Sequence, residues 1–362
     1  MDRDKFFMER ALRLAEKGVG STSPNPMVGA VLVKDGEIIG EGFHKKAGEP
    51  HAEVLALKQA GERARGAELF VTLEPCSHYG RTPPCVQAII KAGVIGVVAA
   101  MEDPNPLVSG RGIKMLEEAG IQVRVGVMEE RARKLNEVFI KYITTKKPFV
   151  VGKIAQSLDG KIALSSGISR WITGEPARIR AHELRSRYDA VMVGIGTVLA
   201  DDPLLTCRLP GREKDPVKIV VDSTLKIPVN ARLFQDSGKV IIAATQKADR
   251  QKMRVLKQLG ADIIETESNG GDMVNLPQLF EILGTMGITG VLVEGGSRLL
   301  ASLSKEELLD KLIIFVAPRL IGAEGLSSVG NLFVDELKKT PRFTIGSLEQ
   351  IGEDIMLEAY KG

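Results

Sequence analysis

The sequence predicts two consecutive α/β domains. Three observations carry that expectation. At 362 residues the chain is more than twice a typical domain of about 150. Helical and strand periodicities alternate along most of it. The alternation breaks once, at the polar, proline-ended run Thr144-Thr145-Lys146-Lys147-Pro148, and then restarts. The boundary is set there, giving domains 1–145 and 146–362.

In the first domain, Asp2 to Gly18 places Phe6, Phe7, Ala11, Leu14 and Ala15 on one face and reads as an amphipathic helix stopped by glycine. Two β-rich runs joined by Lys34-Asp35-Gly36 predict a hairpin. A helix follows from about His51, then a strand Glu68 to Leu73, a helix from about Pro83, a strand Ile95 to Met101, a helix Gly112 to Ala119, a strand Ile121 to Val125 and one last helix ending at Tyr142. That order predicts a three-layer α/β/α unit. In the second domain, strands are expected at Phe149–Ile154, Ala190–Val193, Lys218–Val221, Val240–Ala244, around Ile263, Val291–Val293 and Lys311–Val316. Helices are expected near 176–187, 248–259, 276–285 and 297–303, with a terminal hairpin from Phe343–Leu348 and Asp354–Tyr360.

Composition narrows the partners. Hydrophobic residues make up 44% and charged residues 26%, ordinary for a globular protein. The opening segment mixes charge through every turn and no apolar run approaches the roughly 18 residues a membrane span needs, so a cytoplasmic protein without membrane contact is expected. Residues 1–146 carry 21 Lys+Arg against 19 Asp+Glu, leaving 28 against 27 beyond, so neither half is a basic nucleic-acid platform. Sixteen aromatics (Phe 11, Tyr 4, Trp 1) are too few for base stacking, and small-molecule substrates are favoured. The sequence leaves the oligomeric state open, a homo-oligomer included. Three cysteines, an odd number, argue for metal or catalytic use rather than a disulfide framework.

Two of those cysteines complete a pattern. His51-Ala52-Glu53 opens a predicted helix, Glu74-Pro75-Cys76 closes a predicted strand, and Cys85 sits at the next helix start. One histidine and two cysteines supply three zinc ligands and leave a fourth position for water, the open arrangement of a catalytic site. Helix N-termini at His51 and Cys85 favour a thiolate. Glu53, two residues past the histidine, could move a proton without ligating, which is deaminase chemistry. Each feature alone has a bland reading: a single Cys is more often a packed thiol, and His-x-Glu alone is near noise. A closed structural zinc completed by His78 or His44, a deaminase acting on nucleic acid, and a non-enzymatic zinc module are the competing readings; the charge balance opposes the second and intact Glu53 the third.

Most cytidine-type deaminases space the two cysteines as C-x-x-C, whereas this chain has the longer Cys76-Ser77-His78-Tyr79-Gly80-Arg81-Thr82-Pro83-Pro84-Cys85. With Pro24-Asn25-Pro26-Met27-Val28-Gly29 and Gly48-Glu49-Pro50-His51-Ala52-Glu53, that segment resembles the bifunctional riboflavin-biosynthesis deaminase/reductase family over essentially the whole chain. The resemblance implies a cytidine-deaminase-like first domain that hydrolyses the 2-amino group of a diaminopyrimidinone bearing a phosphoribosylamino substituent. It places His51, Cys76 and Cys85 on zinc and makes Glu53 the proton carrier. Asn25 and His44 fall at the pyrimidine, with Ser77, His78, Arg81 and Thr82 toward the sugar phosphate. Asn25 could equally be a turn residue and His44 a solvated strand end.

No G-x-G-x-x-G follows a strand in the second half; Gly194-Ile195-Gly196 lacks the third glycine. Val291 to Leu299 runs from a strand through Gly295-Gly296 into a helix and offers bare N–H groups to a phosphate, though a plain turn would use Gly-Gly as well. Lys153 to Lys161 and Asp201 to Thr206 resemble the family's reductase domain, which is similar to dihydrofolate reductase and binds NADPH. The resemblance implies that Ala155, Trp171, Thr197, Asp201 and Ser223 line the cofactor, with Gly295, Gly296, Ser297, Arg298, Leu299 and Leu300 at its phosphates. It sets Ser169, Arg185, Leu205, Arg208 and Glu294 on the substrate. Arg185 and Arg208 suit a 5′-phosphate, which guanidinium forks clamp well, although either could be a surface ion pair. Trp171 would ordinarily be read as core, Lys153 and Asp201 compete as the proton donor, and Cys207 reads as a packed thiol.

Overall fold

In the computed structural model, which describes residues 2–78, 83–106, 108–211, 215–269 and 271–362, the chain divides into two compact units, Met1–Lys146 and Lys147–Gly362. The described residues of the first contain helices α1 (Arg3–Glu16), α2 (Ala52–Ala60), α3 (Cys85–Ala92), α4 (Arg111–Glu118), α5 (Glu129–Leu135) and α6 (Glu137–Thr145). Its strands are β1 (Gly29–Lys34), β2 (Glu37–Phe43), β3 (Glu68–Val71), β4 (Gly96–Ala99) and β5 (Gln122–Val125). They form one sheet in the order β2-β1-β3-β4-β5, antiparallel across β2-β1-β3 and parallel across β3-β4-β5.

Strand alternation sorts the core into two layers. Ala30 and Leu32 pack with Ala52 and Ala56 of α2 and Val86 and Ile89 of α3. Val31 and Val33 face the other way, onto Phe7, Met8, Ala11 and Leu12 of α1. Asp35 and Gly36, at φ 53° and 82°, make the tight β1–β2 turn. Glycine in β2 sets how close α2 can come: a Cβ at Gly42 would sit 2.2 Å from the Ala52 carbonyl oxygen. That contact presses the start of α2, which carries Glu53, against the sheet.

The expected single helix ending at Tyr142 is instead two, α5 and α6, meeting at Asn136. Asn136 leaves helical geometry (φ −102°, ψ 21°) and its buried side chain bonds a distant loop. It accepts from Met27 N–H at 2.8 Å and donates to Met27 C=O at 2.9 Å.

The described residues of the second unit contain α7 (Glu175–Arg187), α8 (Ile195–Asp201), α9 (Arg250–Gln258), α10 (Leu276–Thr285) and α11 (Ser297–Lys305). Its strands are β6 (Phe149–Ser157), β7 (Lys161–Ala163), β8 (Ala190–Gly194), β9 (Val217–Val221), β10 (Val240–Thr245), β11 (Ala261–Thr266), β12 (Ser268–Asn269), β13 (Met273–Val274), β14 (Gly290–Glu294), β15 (Lys311–Ala317), β16 (Leu326–Ser327), β17 (Phe343–Ile351) and β18 (Asp354–Lys361). Nine of them form a mixed sheet, β11-β10-β9-β8-β14-β6-β15-β18-β17. It is parallel from β11 through β15 and closes on the antiparallel hairpin β17–β18. β14 lies near its centre and is buried along its whole length, as an unbroken apolar run in a parallel sheet should be. Helix α8 and the short strands β7, β12, β13 and β16 lie outside the sequence expectations. Because β6, β8 and β14 run parallel, they deliver Lys153, Gly194 and Glu294 toward one end of the sheet, and Glu294 is in register with Lys153. No helix among the described residues is long and apolar enough to cross a membrane.

Candidate active sites

In the first unit, His51 is the N-cap of α2 and Cys85 opens α3 behind the N-cap Pro84; Cys76 lies in the loop between β3 and α3. The ligand atoms of these three residues lie within 4.8 Å of one another. His51 Nδ1 is 3.2 Å from Cys85 Sγ and 3.5 Å from Cys76 Sγ, and the Cys85 N–H donates to Cys76 Sγ at 3.3 Å. The thiols share a proton unequally. A hydrogen bond from Cys85, then contact with His51, outweighs burial and holds Cys76 down at about 4. The same sulfur contact, with burial, pushes Cys85 up. One imidazole and two cysteine sulfurs at these separations match the donor set of a zinc site with an open position.

Glu53 stands in the first turn of α2, 3% exposed. Its Oε2 is buried with no hydrogen-bond partner among the described residues. Burial first, and the Cys76 charge second, raise its pKa above the usual carboxylate range. An orphan carboxylate oxygen costs about 1–3 kcal/mol unless a ligand meets it, which sets Glu53 apart from a packing residue. His44 and Asn25 meet nearby: Asn25 Nδ2 lies 3.1 Å from His44 Nε2, and His44 Nδ1 lies 3.4 Å from Pro50 C=O. The two contacts assign the tautomer, with Nδ1–H donating to Pro50 and Nε2 accepting from Asn25. Burial holds His44 below the usual histidine range, and its ring sits edge-on to His51 at 5.4 Å. The solvated reading of His44 therefore gives way to a hydrogen-bonded pair in which His44 is buried, while Asn25 does sit in a turn, its N–H donating to Thr22 C=O at 2.8 Å.

Ser77 is half-buried and His78 exposed. Arg81 and Thr82 lie outside the described residues. Two groups beside the trio escaped the sequence reading. The buried carboxylate of Glu74 accepts from the N–H groups of Asp103 (3.0 Å), Gly110 (3.0 Å), Gly112 (2.8 Å) and Ile113 (3.3 Å), which ties the segments around Asp103 and Gly112 to the chain just before Cys76. Asp103, pushed up to about 6 by burial, caps its own turn by accepting from Asn105 N–H at 2.9 Å. The run Asp103-Pro104-Asn105-Pro106 was the available signal, since Asx-Pro marks a turn.

In the second unit, the Arg185 guanidinium forks onto the Glu294 carboxylate through Nε and through Nη2 at 2.9 Å, and its Nη1 donates to Thr206 C=O at 3.0 Å. Those bonds engage a donor on each of its three nitrogens and leave one N–H on each terminal nitrogen. Lys153 Nζ stands 3.8 Å from Glu294 Oε2. Burial alone would raise Glu294, but the Arg185 charge and fork, with Lys153, hold it down at about 2. Burial lowers Lys153, with Glu294 only partly restoring it. Arg185 is thus a half-buried ion-pair partner as well as a candidate substrate contact, and Arg208 is exposed.

The Ser169 hydroxyl donates to Asp201 Oδ1 at 3.3 Å. Trp171 is not core; it is 61% exposed, with the Arg178 guanidinium 4.7 Å over its ring. Gly295 and Gly296, at φ 86° and 88°, lie against Thr197, whose Oγ1 would be 3.3 Å from a Cβ at Gly295. Only glycine adopts this backbone freely, and it leaves a bare approach to the start of α11. Ser297 is buried and Arg298 exposed. Leu299 and Leu300 turn into the core, and the Leu300 N–H donates to Gly296 C=O at 3.0 Å, inside the helix rather than toward a ligand. Ala155 lies on β6, half-buried. Ser223 follows β9 and its Oγ accepts from Val274 N–H. Leu205 is buried, and Cys207 is half-buried, its thiol directed to His182 C=O at 3.5 Å.

These two sites define a two-domain enzyme, a zinc-binding deaminase followed by a reductase, and relatives agree. The family described as "Cytidine and deoxycytidylate deaminase zinc-binding region" matches residues 1–101, and the "RibD C-terminal domain" matches residues 148–357. Riboflavin biosynthesis protein RibD of Aquifex aeolicus is 46% identical over 98% of this chain and 97% of its own length. The Escherichia coli protein of that name is 42% identical over 98% of each. The solved structure of Acinetobacter baumannii RibD superposes with a TM-score of 0.89 at 40% identity, covering 99% of both chains. A Thermotoga maritima structure, described as a diaminohydroxyphosphoribosylaminopyrimidine deaminase/5-amino-6-(5-phosphoribosylamino)uracil reductase, superposes at 0.85 with 38% identity and the same coverage. The chain belongs to the RibD family of bifunctional riboflavin-biosynthesis enzymes, and its cofactors are zinc and NADPH.

Proposed function

We propose that the chain deaminates 2,5-diamino-6-(5-phosphoribosylamino)pyrimidin-4(3H)-one to 5-amino-6-(5-phosphoribosylamino)uracil and then reduces the ribosyl group to ribityl. The observation that carries the reading is the orphan Glu53 Oε2 close to His51, Cys76 and Cys85, in a chain related end to end to proteins of this activity. Bound through those three residues, zinc supplies the Lewis acidity that makes water a competent nucleophile at neutral pH. Glu53 takes a proton from the attacking water and returns it to the departing 2-amino nitrogen, so that C–N breaks, C–O forms and ammonia leaves. Asn25 and the neutral His44 present a fixed polar edge to the pyrimidine, and Ser77, His78, Arg81 and Thr82 are assigned to the sugar phosphate.

In the second unit NADPH supplies the hydride when bound, along Ala155, Trp171, Thr197, Ser223 and the turn from Gly295 through Ser297 and Arg298. Lys153 is our choice for the proton delivered to the former aldehyde oxygen. It is half-buried, its pKa is lowered by what covers it, and Glu294 stands beside it to steady the charge. Asp201, tied to Ser169, orders the neighbouring substrate wall with Leu205. Arg208 takes the substrate's 5′-phosphate, and Arg185 has two N–H groups left to share in that contact while it holds Glu294. The enzyme works in this reading in the cytoplasm on a diffusible small molecule, without nucleic acid or membrane. The even charge distribution supports that. Mass-spectrometric product analysis with the diaminopyrimidinone phosphate tests both halves. The deaminated product should appear without a nicotinamide, and the ribityl product only with it, with a higher kcat/KM for NADPH than for NADH. No mass change without NADPH would refute the deaminase half.

A further inference from the structure

Arg208 is exposed and makes no ion pair among the described residues, so its long side chain needs something to aim it. His182 stands three residues before Arg185 on α7, a spacing that sets the two on one helix face. Both ring nitrogens of His182 meet Arg208: Nδ1 lies 3.4 Å from the Arg208 main-chain nitrogen, and Nε2 lies 3.3 Å from Arg208 Nη2. A neutral imidazole has one acceptor and one donor. The Arg208 main-chain N–H is aimed at Nδ1, so Nδ1 accepts from it, and the ring's own hydrogen sits on Nε2. Burial, then the Arg185 and Arg208 charges, keep His182 below the usual histidine range, so the ring stays neutral and able to accept.

The backbone around Arg208 is fixed as well. The Cys207 N–H donates to Asp215 Oδ1 at 2.6 Å, the Cys207 thiol to His182 C=O at 3.5 Å, and Thr206 C=O accepts from Arg185. One face of α7 thereby holds the 206–208 segment from two successive positions, His182 and Arg185. Arg185 joins that segment to Glu294 and hence to Lys153.

We propose that His182 is a positioning residue of the reductase: it anchors the main chain at Arg208 and so sets where the guanidinium reaches toward the substrate phosphate. The inference rests on the substrate reading given above.

The test measures kcat and KM of the full chain with saturating NADPH, using the phosphorylated ribosylaminouracil and its dephosphorylated counterpart. Arg208→Ala should raise KM for the phosphorylated substrate about 10- to 100-fold, the value of a charge-assisted contact. His182→Ala should raise the same KM about fivefold with kcat retained, and leave KM for the dephosphorylated substrate where it was. His182→Asn, which carries an acceptor oxygen near the place of Nδ1, should recover part of that loss. The double variant should be no worse than Arg208→Ala alone, because His182 acts through Arg208. Equal effects of His182→Ala on both substrates, or no effect on either, would overturn the proposal. If the wild type fails to reduce the phosphorylated substrate with NADPH, the substrate reading fails instead.

Discussion

The two sites differ in how they handle charge. In the first unit, His51, Cys76 and Cys85 converge near a carboxylate that has one oxygen unpartnered among the described residues; the cluster is incomplete by itself. In the second, Lys153 and Arg185 share the one carboxylate of Glu294 through a 3.8 Å ion pair and a fork. The first is built to be completed by a metal and a proton; the second is built to hold a lysine in place. Neutralising the buried carboxylate of each site should therefore cost chemistry in the first unit and stability in the second.

The largest effect is expected at Glu53. Glu53→Gln keeps the shape but carries no proton, so deamination should fall by about 10²- to 10⁴-fold or more, while elemental analysis finds zinc retained and reduction of an already deaminated substrate continues. Glu294→Gln should act the other way. It leaves the half-buried Arg185 and Lys153 without their carboxylate, a loss of up to about 3–5 kcal/mol, read as a lower unfolding transition for the second unit with zinc content unchanged.

Acid sharpens the same contrast. Glu294 is held at about 2, below an unfolded value of about 4.3. Its contribution, about 3 kcal/mol, is therefore present in full above about pH 5 and is lost as pH falls through 4 toward 2. Thermal melts between pH 7 and about pH 3 should show the wild-type second unit losing stability below about pH 4, and Glu294→Gln losing less over that range. The smallest effect is expected at Asn136. Asn136→Ala leaves the Met27 N–H and C=O without these bonds, costing about 1–3 kcal/mol in the first unit by denaturant titration.

The same contrast decides what could be read in advance. The zinc trio is legible because His51 and Cys85 are only 34 positions apart and their residue types are rare and chemically distinctive. Sheet strands such as β14 and β15 were legible as apolar runs. Arg185 and Glu294 meet across 109 positions, and an arginine's type does not say whether it faces a ligand or a carboxylate. Asn136 and Glu74 were missed for a related reason: their partners are main-chain N–H and C=O groups, which leave no trace in residue type. The break between α5 and α6 falls at one such residue, which periodicity alone does not reveal.

The central claim is that each activity belongs to its own unit. Removing zinc with a chelator and following both reactions in the same sample tests it most directly, with the second assay supplied with already deaminated substrate. Deamination should disappear and return when zinc is added back, while NADPH-dependent reduction continues at its original rate. Parallel loss of both activities in folded protein would contradict the account.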